Sequence, residues 1–126
     1  MRRGGTARCR MAAERVAGMN STDKKLYELK AELLAAAGHP IRLAIIEFLA
    51  DGEQCVCDIA EHVDAQRSNV SRHLAVLLKS GIVQQRKDGL KRMYTLKTPC
   101  ILNFTACVEN VLRQRARDAA GLLEKL

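Results

Sequence analysis

The chain has 126 residues, with 21 lysines and arginines against 14 aspartates and glutamates, and a formal net charge of +7 at pH 7. This length supports one domain with a modest core, and the excess of positive charge indicates an anionic partner, most commonly nucleic acid. Only 3% of the residues are aromatic, so the core is predicted to be aliphatic and mainly helical. No apolar run approaches the roughly 20 residues of a membrane span, and we expect a cytoplasmic protein with no membrane partner.

Residues 1–22 differ in composition from the rest of the chain. They hold five arginines, three glycines and a single acidic residue. Such a segment offers little apolar surface to bury, which is typical of a mobile tail. We therefore predict a basic N-terminal tail over 1–22 and one folded domain over 23–126.

Two helices are predicted at the start of the folded part. The Ser-Thr-Asp run at 21–23 offers capping side chains for the first helix, and Gly38 is expected to end it. His39-Pro40 opens the second helix, because proline is tolerated in a first turn, and Asp51-Gly52 ends it. Apolar residues at helical spacing predict the buried faces: Leu26, Leu29 and Leu33 in the first helix, and Ile41, Ala44, Ile45, Phe48 and Leu49 in the second.

A short helix over about 56–62 and a longer one over about 66–79 come next. The inward stripe of the longer helix is predicted to be Val70, Leu74 and Leu77, with Gly81 as a left-handed terminator. Alternating residues over 82–86 and 91–96 flank a Lys-Asp-Gly turn at 87–89, which predicts a β-hairpin.

A long final helix is predicted from Thr98-Pro99, which would cap and open it, to about residue 125. Its apolar stripe is longer than a domain of this size needs for its own core, and this favours a homodimer interface. The stripe comprises Ile101, Val108, Leu112, Ala119 and Leu122.

Helix, short turn, helix and basic hairpin follow one another in the order of a winged helix-turn-helix. Arg, Asn and Gln side chains can bind base edges in a major groove, while basic side chains on a wing suit phosphates. The fold is therefore predicted to be mainly α with a β-hairpin wing, homodimeric, and bound to double-stranded DNA. The candidate DNA-binding residues are Gln66, Arg67, Ser68, Asn69, Ser71, Arg72 and His73 on the helix and Arg86, Lys87, Lys91 and Arg92 on the hairpin, with packing as the alternative for His73.

Five cysteines, an odd number, fit a disulfide framework poorly and favour metal or redox chemistry. Cys55 and Cys57 lie at the start of the short helix, in a turn expected to expose them, where the helix dipole favours thiolate. Thiolates select As(III), Sb(III), Cd(II), Pb(II) or Cu(I) over hard cations. Three-coordinate arsenite needs another sulfur, and Cys100 and Cys107 are candidates. These two share a helix face but lie about 10.5 Å apart along its axis, so one of them is expected to join the pair.

The sequence resembles the ArsR/SmtB family of bacterial metalloregulatory repressors over about residues 30–98. The resemblance lies in GHPIRL at 38–43, CVCDIA at 55–60, SNVSRHL at 68–74, and GIV at 81–83 with YTL at 94–96. It implies a homodimeric repressor that leaves its operator when an inducer binds. The family's cadmium/lead sensors recruit cysteines of the N-terminal arm to the same Cys-Val-Cys pair, which makes Cys9 the alternative third ligand.

Two departures from the family pattern concern the ligands. Ala60 stands where enterobacterial arsenic repressors have a third cysteine. Thr98 and Cys100 stand where the family's zinc and cobalt sensors have an Asp-x-His pair, and the last helix contains no histidine. A nitrogen/oxygen zinc site is therefore not expected.

The favoured hypothesis is a repressor of a metalloid-resistance operon that responds to As(III) or Sb(III). The alternative is a repressor of the same fold that responds to Cd(II) or Pb(II), or to oxidation or persulfidation of the same thiols. A small thiol oxidoreductase would need a Cys-x-x-Cys pair in a thioredoxin-like context, which this sequence lacks. We therefore predict no enzymatic activity and no organic cofactor.

Overall fold

The computed structural model describes residues 18–126. They belong to two units, of which the first ends at Ala35 and the second spans Ala36–Leu126. The tail predicted for 1–22 lies almost wholly outside the described residues. Within the described part, no single helix is long and apolar enough to cross a membrane.

Helix α1 spans Ser21–Ala37 and ends directly before Gly38, as predicted. Its start differs from the prediction, because Asn20 provides the cap and Ser21 already lies in the helix. Asp23 donates its backbone N–H to Asn20 Oδ1 at 2.9 Å, and Asn20 donates its own N–H to Asp23 Oδ2 at 3.3 Å. This reciprocal pair satisfies two backbone donors at the helix start.

Helix α2 spans Pro40–Phe48 and continues as a 3₁₀ turn over Leu49–Asp51. Its N-cap is His39, whose Nδ1 accepts the backbone N–H of Ile41 at 3.1 Å. The buried face is wider than the predicted stripe, because Ile46 is fully buried beside the predicted positions. Neighbours therefore enclose this helix on more than one side.

Helices α3 (Val56–His62) and α4 (Arg67–Ser80) form the helix-turn-helix within one residue of the predicted limits. Gly81, with φ 85° and ψ 11°, ends α4 in the left-handed conformation, as predicted. The inward stripe of α4 is also confirmed, because all three of its residues are fully buried. The core of this unit contains Ile45, Ile46, Leu49, Ile59, Val70, Leu74, Leu77, Ile82, Val83 and Tyr94.

The hairpin pairs strand β2 (Val83–Asp88) with β3 (Lys91–Leu96). Asp88 pairs with Lys91, so the turn consists of residues 89 and 90 rather than the predicted 87–89. Gly89 has φ 63°, which suits the first position of a tight two-residue turn. A two-residue strand β1 (Gln54–Cys55), which was not predicted, adds to the other edge of β3 and gives the antiparallel order β1-β3-β2.

Helix α5 spans Ile101–Glu124. The predicted capping by Thr98 is wrong, because its hydroxyl donates to the carbonyl of Gly81 at 2.8 Å and anchors the loop to the end of α4. Thr105 is buried, whereas every later residue of the chain is exposed except Gly121. Most of the apolar stripe predicted for this helix is therefore uncovered in the single chain.

Candidate nucleic-acid interface and thiol site

The turn between α3 and α4 sets the angle of the helix-turn-helix. Asp64 adopts φ 53°, which reverses the chain after α3. Ala65 then donates its backbone N–H to the carbonyl of Ala60 at 3.1 Å, a pairing that satisfies a free carbonyl at the helix end. Gln66 is the N-cap residue of α4, but its side chain forms no capping hydrogen bond. The residue is exposed on the surface.

The first two turns of α4 present a polar, positively charged surface. Arg67 and Arg72 are exposed, and Asn69 is half-buried between them. Because Val70 and Leu74 are buried on the other side of the helix, this polar side faces away from the core. The exposed predicted DNA-binding residues of α4 and its cap are Gln66, Arg67, Ser68, Ser71 and Arg72.

His73 lies between α4 and α2 and is half-buried. Its Nδ1 accepts a hydrogen bond from Arg42 at 3.2 Å, and its ring lies 4.3 Å from the ring of His39. Burial lowers the pKa of His73 below its ordinary value, and the charges of His39, Arg42 and Arg72 lower it further. These contacts give His73 a packing role, which is the alternative predicted for it from the sequence.

The wing carries exposed cations on both of its strands. Lys87 lies directly opposite Arg92, and Lys91 lies opposite Asp88. Like charges that face each other across a hairpin repel, and a bound polyanion would relieve this repulsion. The wing thus offers Lys87, Lys91 and Arg92 as exposed cations.

Arg86 has a different position from the other wing cations, because it is paired with Glu53. Its Nε donates to Glu53 Oε2 at 2.7 Å, and its terminal nitrogen donates to Oε1 at 2.6 Å. The hydrogen bond from Arg86 lowers the pKa of the Glu53 carboxyl below its usual value. Glu53 could not be predicted from the sequence, since it lies 33 positions from Arg86 and shares no local pattern with it.

A groove of about 320 Å³ separates α4 from the wing. Ser71 reaches it from α4, and Gln85 and Arg92 reach it from the two strands. Gln85 was not among the predicted residues, although strand alternation places it on the same face as Lys87. The apolar part of the lining is Val56, Ala75, Leu78 and Tyr94.

Cys55 is buried, so the prediction that the turn exposes both thiols is wrong for this residue. It belongs to β1, where it pairs with Met93, and it is also the N-cap of α3. Its Sγ accepts the backbone N–H of Asp58 at 3.4 Å. The thiol therefore satisfies a helix-terminal donor and is itself buried.

Cys57 lies in the first turn of α3, as predicted, and is half-buried. It lines an open groove of about 640 Å³ together with Glu61 and Arg67. Ala60 lies in the same groove, so this position offers no sulfur beside Cys57. Of the two thiols in the Cys-Val-Cys motif, Cys57 is therefore the more accessible.

Cys100 and Cys107 do not join this pair in the described part of the chain. Cys100 precedes α5 and Cys107 lies on it, and both are exposed. Between residues 18 and 126, no three His, Cys, Asp or Glu side chains come together as metal ligands. Cys9 lies outside the described residues.

Comparison with known proteins gives a family match across the helix-turn-helix. Residues 39–85 match the family described as "Bacterial regulatory protein, arsR family". An uncharacterized HTH-type transcriptional regulator of Mycobacterium tuberculosis, Rv0081, is 34% identical over 102 residues, which cover 80% of this chain and 90% of that protein. Its crystal structure superposes with a TM-score of 0.67 at 33% identity, covering 75% of this chain and 96% of that one.

Two further proteins extend the comparison. An arsenical resistance operon repressor of Staphylococcus xylosus is 36% identical over 70 residues, covering 56% of this chain and 67% of that protein. The homodimeric winged helix-turn-helix DNA-binding domain of Mycobacterium bovis Mb0332, a possible ArsR-family transcriptional regulator, has a TM-score of 0.69 at 25% identity. That match covers 81% of this chain and 94% of the domain.

Proposed function

The chain belongs to the arsR family of bacterial regulatory proteins, a family of DNA-binding regulators rather than enzymes, and from this premise we propose that it is a homodimeric repressor released from its operator by As(III) or Sb(III). The observation that carries the proposal is the position of Cys55 and Cys57. Both thiols lie at the N-terminus of α3, the helix that packs directly on α4.

DNA reading is assigned to the polar side of α4. Inserted into a major groove, Arg67, Asn69 and Arg72 supply the side chains that hydrogen-bond base edges, and Gln66, Ser68 and Ser71 add further polar contacts. Lys87, Lys91 and Arg92 of the wing bind phosphates, and the groove between α4 and the wing receives the backbone of one strand. The net charge of +7 supports this assignment, because phosphate contacts dominate the affinity of DNA-binding proteins.

The second copy covers α5. Phe104, Val108, Val111 and Leu112 lie about one face of this helix, and each has 43% to 54% of its surface exposed. An uncovered apolar face of this extent on a helix of 24 residues indicates a partner. A dimer would also present two copies of α4, as a two-fold symmetric operator requires.

As(III) and Sb(III) suit the thiol pair because sulfur is their preferred ligand. Cys55 and Cys57 supply two sulfurs, and a third has to come from another part of the dimer. Cys107 on α5 and Cys100 directly before it are both exposed, and α5 is the helix proposed to meet the second copy, so either thiol can approach from the partner subunit. Cys9 is the alternative third ligand.

Release follows from what Cys55 does before the inducer binds. Cys55 is buried and Cys57 opens to the groove, so a shared ion requires Cys55 Sγ to leave its place in the core. That movement removes the acceptor from the Asp58 N–H and disturbs the first turn of α3. Since α3 supports α4, the α4 surface then loses the position that DNA requires.

The alternative inducers of the same thiols are Cd(II), Pb(II) and oxidants or persulfides. The groove beside Cys57 supports them as well, because a half-buried thiol that lines an open groove is accessible to these reagents.

The test is a titration of the protein–DNA complex with arsenite, cadmium, lead and peroxide in turn, read by fluorescence anisotropy. The DNA is a duplex that the wild-type protein selects from a random library. We expect release by arsenite at the lowest concentration. If only peroxide releases the duplex, the metalloid assignment is wrong.

A further inference from the structure

The strand that carries Cys55 and the wing are connected through one row of the sheet. Met93 on β3 pairs with Cys55 on one side and with Arg86 on the other. The backbone connection on the β1 side is short, because β1 contributes only two residues. A two-residue strand alone is a weak attachment, so side-chain contacts across the sheet decide how firmly the wing is held.

Glu53 provides such a contact. It directly precedes β1, and both of its carboxylate oxygens accept hydrogen bonds from Arg86 in the middle of β2, at 2.6 and 2.7 Å. The bidentate pair spans all three strands, since β3 lies between β1 and β2. A planar guanidinium held at two points also fixes an orientation, which a single contact does not.

We propose that Glu53 is a positioning residue for DNA binding: by holding Arg86 it fixes the wing to the strand that carries Cys55. Arg86 then stabilises the wing through its surface pair with Glu53, while Lys87, Lys91 and Arg92 contact the DNA. The proposal rests on the proposed function, in which the wing binds DNA and Cys55 binds the inducer. It adds a direct route from the thiol to the wing, beside the route through α3 and α4.

The direction in which DNA affinity changes when the Glu53 charge is removed distinguishes a positioning role from simple electrostatic repulsion. Replacing a glutamate near DNA by glutamine removes repulsion from phosphates and on that ground alone tightens binding. Loss of a positioning contact weakens binding instead. Glu47→Gln, an exposed glutamate on α2, is the matched control for the change of charge.

The experiment measures the affinity of full-length wild type, Glu53→Gln, Arg86→Lys, the double variant and Glu47→Gln for the selected duplex. We expect Glu53→Gln and Arg86→Lys each to weaken binding roughly five-fold, and the double variant to be no weaker than either, as for two residues that share one contact. If Glu53→Gln binds as tightly as Glu47→Gln or tighter, or if the two losses multiply in the double variant, the proposal is wrong.

Hydrogen exchange tests positioning without DNA. In Glu53→Gln, the amides of 83–88 and 91–96 should exchange faster than in wild type, and those of Glu47→Gln should not. Unchanged exchange in Glu53→Gln would contradict the proposal even if DNA binding could not be measured.

The route to the thiol is tested by the ratio of DNA affinities without and with arsenite. Glu53→Gln should bind arsenite with wild-type stoichiometry but show a smaller ratio than wild type. If the ratio for Glu53→Gln equals that for wild type, Glu53 does not connect Cys55 to the wing. If the wild-type ratio is one, the inducer assignment fails by itself, and the exchange and affinity measurements still decide the role of Glu53.

Discussion

Single side chains at this site have structural roles that a ligand would have to displace. Cys55 pairs in β1, fills core space and accepts the Asp58 N–H at the start of α3. His73 joins α4 to α2 through Arg42 and His39. The proposed inducer site and the helix proposed to bind DNA are therefore each attached to the core by a polar contact, and such contacts respond to ligands or protons.

Cys55 variants separate capping from ligand binding. Cys55→Ser keeps an N-cap oxygen for the Asp58 N–H, whereas Cys55→Ala removes the acceptor, and loss of a cap costs about 1 kcal/mol. We expect Cys55→Ala to be less stable than Cys55→Ser by about that amount in urea unfolding. Equal stability of the two variants would show that the sulfur does not cap α3.

The folding stability should depend on pH through His73. Its pKa in the folded protein lies below the ordinary value of 6.5, so near pH 6 the unfolded chain binds more protons than the folded one. Stability is thus retained above pH 6.5 and falls as the pH drops below it. Urea unfolding at pH 7.5 and 5.5 should show a larger loss for wild type than for His73→Gln, and equal losses would refute this account.

The direction of the chain between α4 and the wing depends on Gly81, the residue that ends α4. Gly81 holds φ 85°, and Thr98 is bonded to its carbonyl, so one residue directs both the entry to β2 and the loop before α5. A residue with a Cβ would have a strained backbone conformation at this position, although no atom lies within 4 Å of where that Cβ would be.

Two glycine variants test this role of backbone conformation. Gly81→Ala should lower the free energy of unfolding by about 1 kcal/mol, because a residue with a Cβ is strained in the left-handed region. Gly121→Ala in α5 is the control, where alanine meets no atom within 4 Å and favours the helix. If both changes stabilise the protein in urea unfolding, the strain at Gly81 is not real.

Local signals predicted most of these elements. The spacing of Val70, Leu74 and Leu77 indicated the buried side of α4, and Gly81 indicated its end. The hairpin was predicted from alternation, but its turn was displaced, because Asp88 continues the strand opposite Lys91. A local pattern could not decide between a polar strand residue and a turn residue at that position.

The features that were missed depend on distant pairings. Strand β1 is only two residues long and exists through β3, about forty residues later in the chain. The burial of Cys55 follows from that strand, so it could not be read from the Cys-Val-Cys motif. Glu53 and Arg86 meet for the same reason.

In the Ala36–Leu126 unit, most of the exposed large apolar side chains lie on α5. Phe104, Val108, Val111 and Leu112 bring apolar surface to one side, whereas Asn110 lies on the opposite side by helical geometry. Burial of this face between two copies would supply the stability of the dimer, at about 25 cal/mol per Å² of apolar area removed from water.

A charge placed on this face should separate the subunits. We expect wild type to sediment as a dimer, and Leu112→Glu to sediment mainly as a monomer because its carboxylate would be buried without a partner. Asn110→Glu is the matched control and should remain a dimer. A dimeric Leu112→Glu, measured at micromolar concentration, would place the interface elsewhere.

We propose that the thiols at the start of α3 control the binding of α4 to DNA. The most direct measurement is the affinity for the selected duplex, with and without arsenite, for wild type, Cys57→Ser and Arg72→Ala. Arsenite should weaken wild-type binding by about 5- to 150-fold, the usual range for coupled sites. Cys57→Ser should bind the duplex like wild type and ignore arsenite, while Arg72→Ala should bind arsenite but little DNA. Full release of Cys57→Ser by arsenite would contradict the claim.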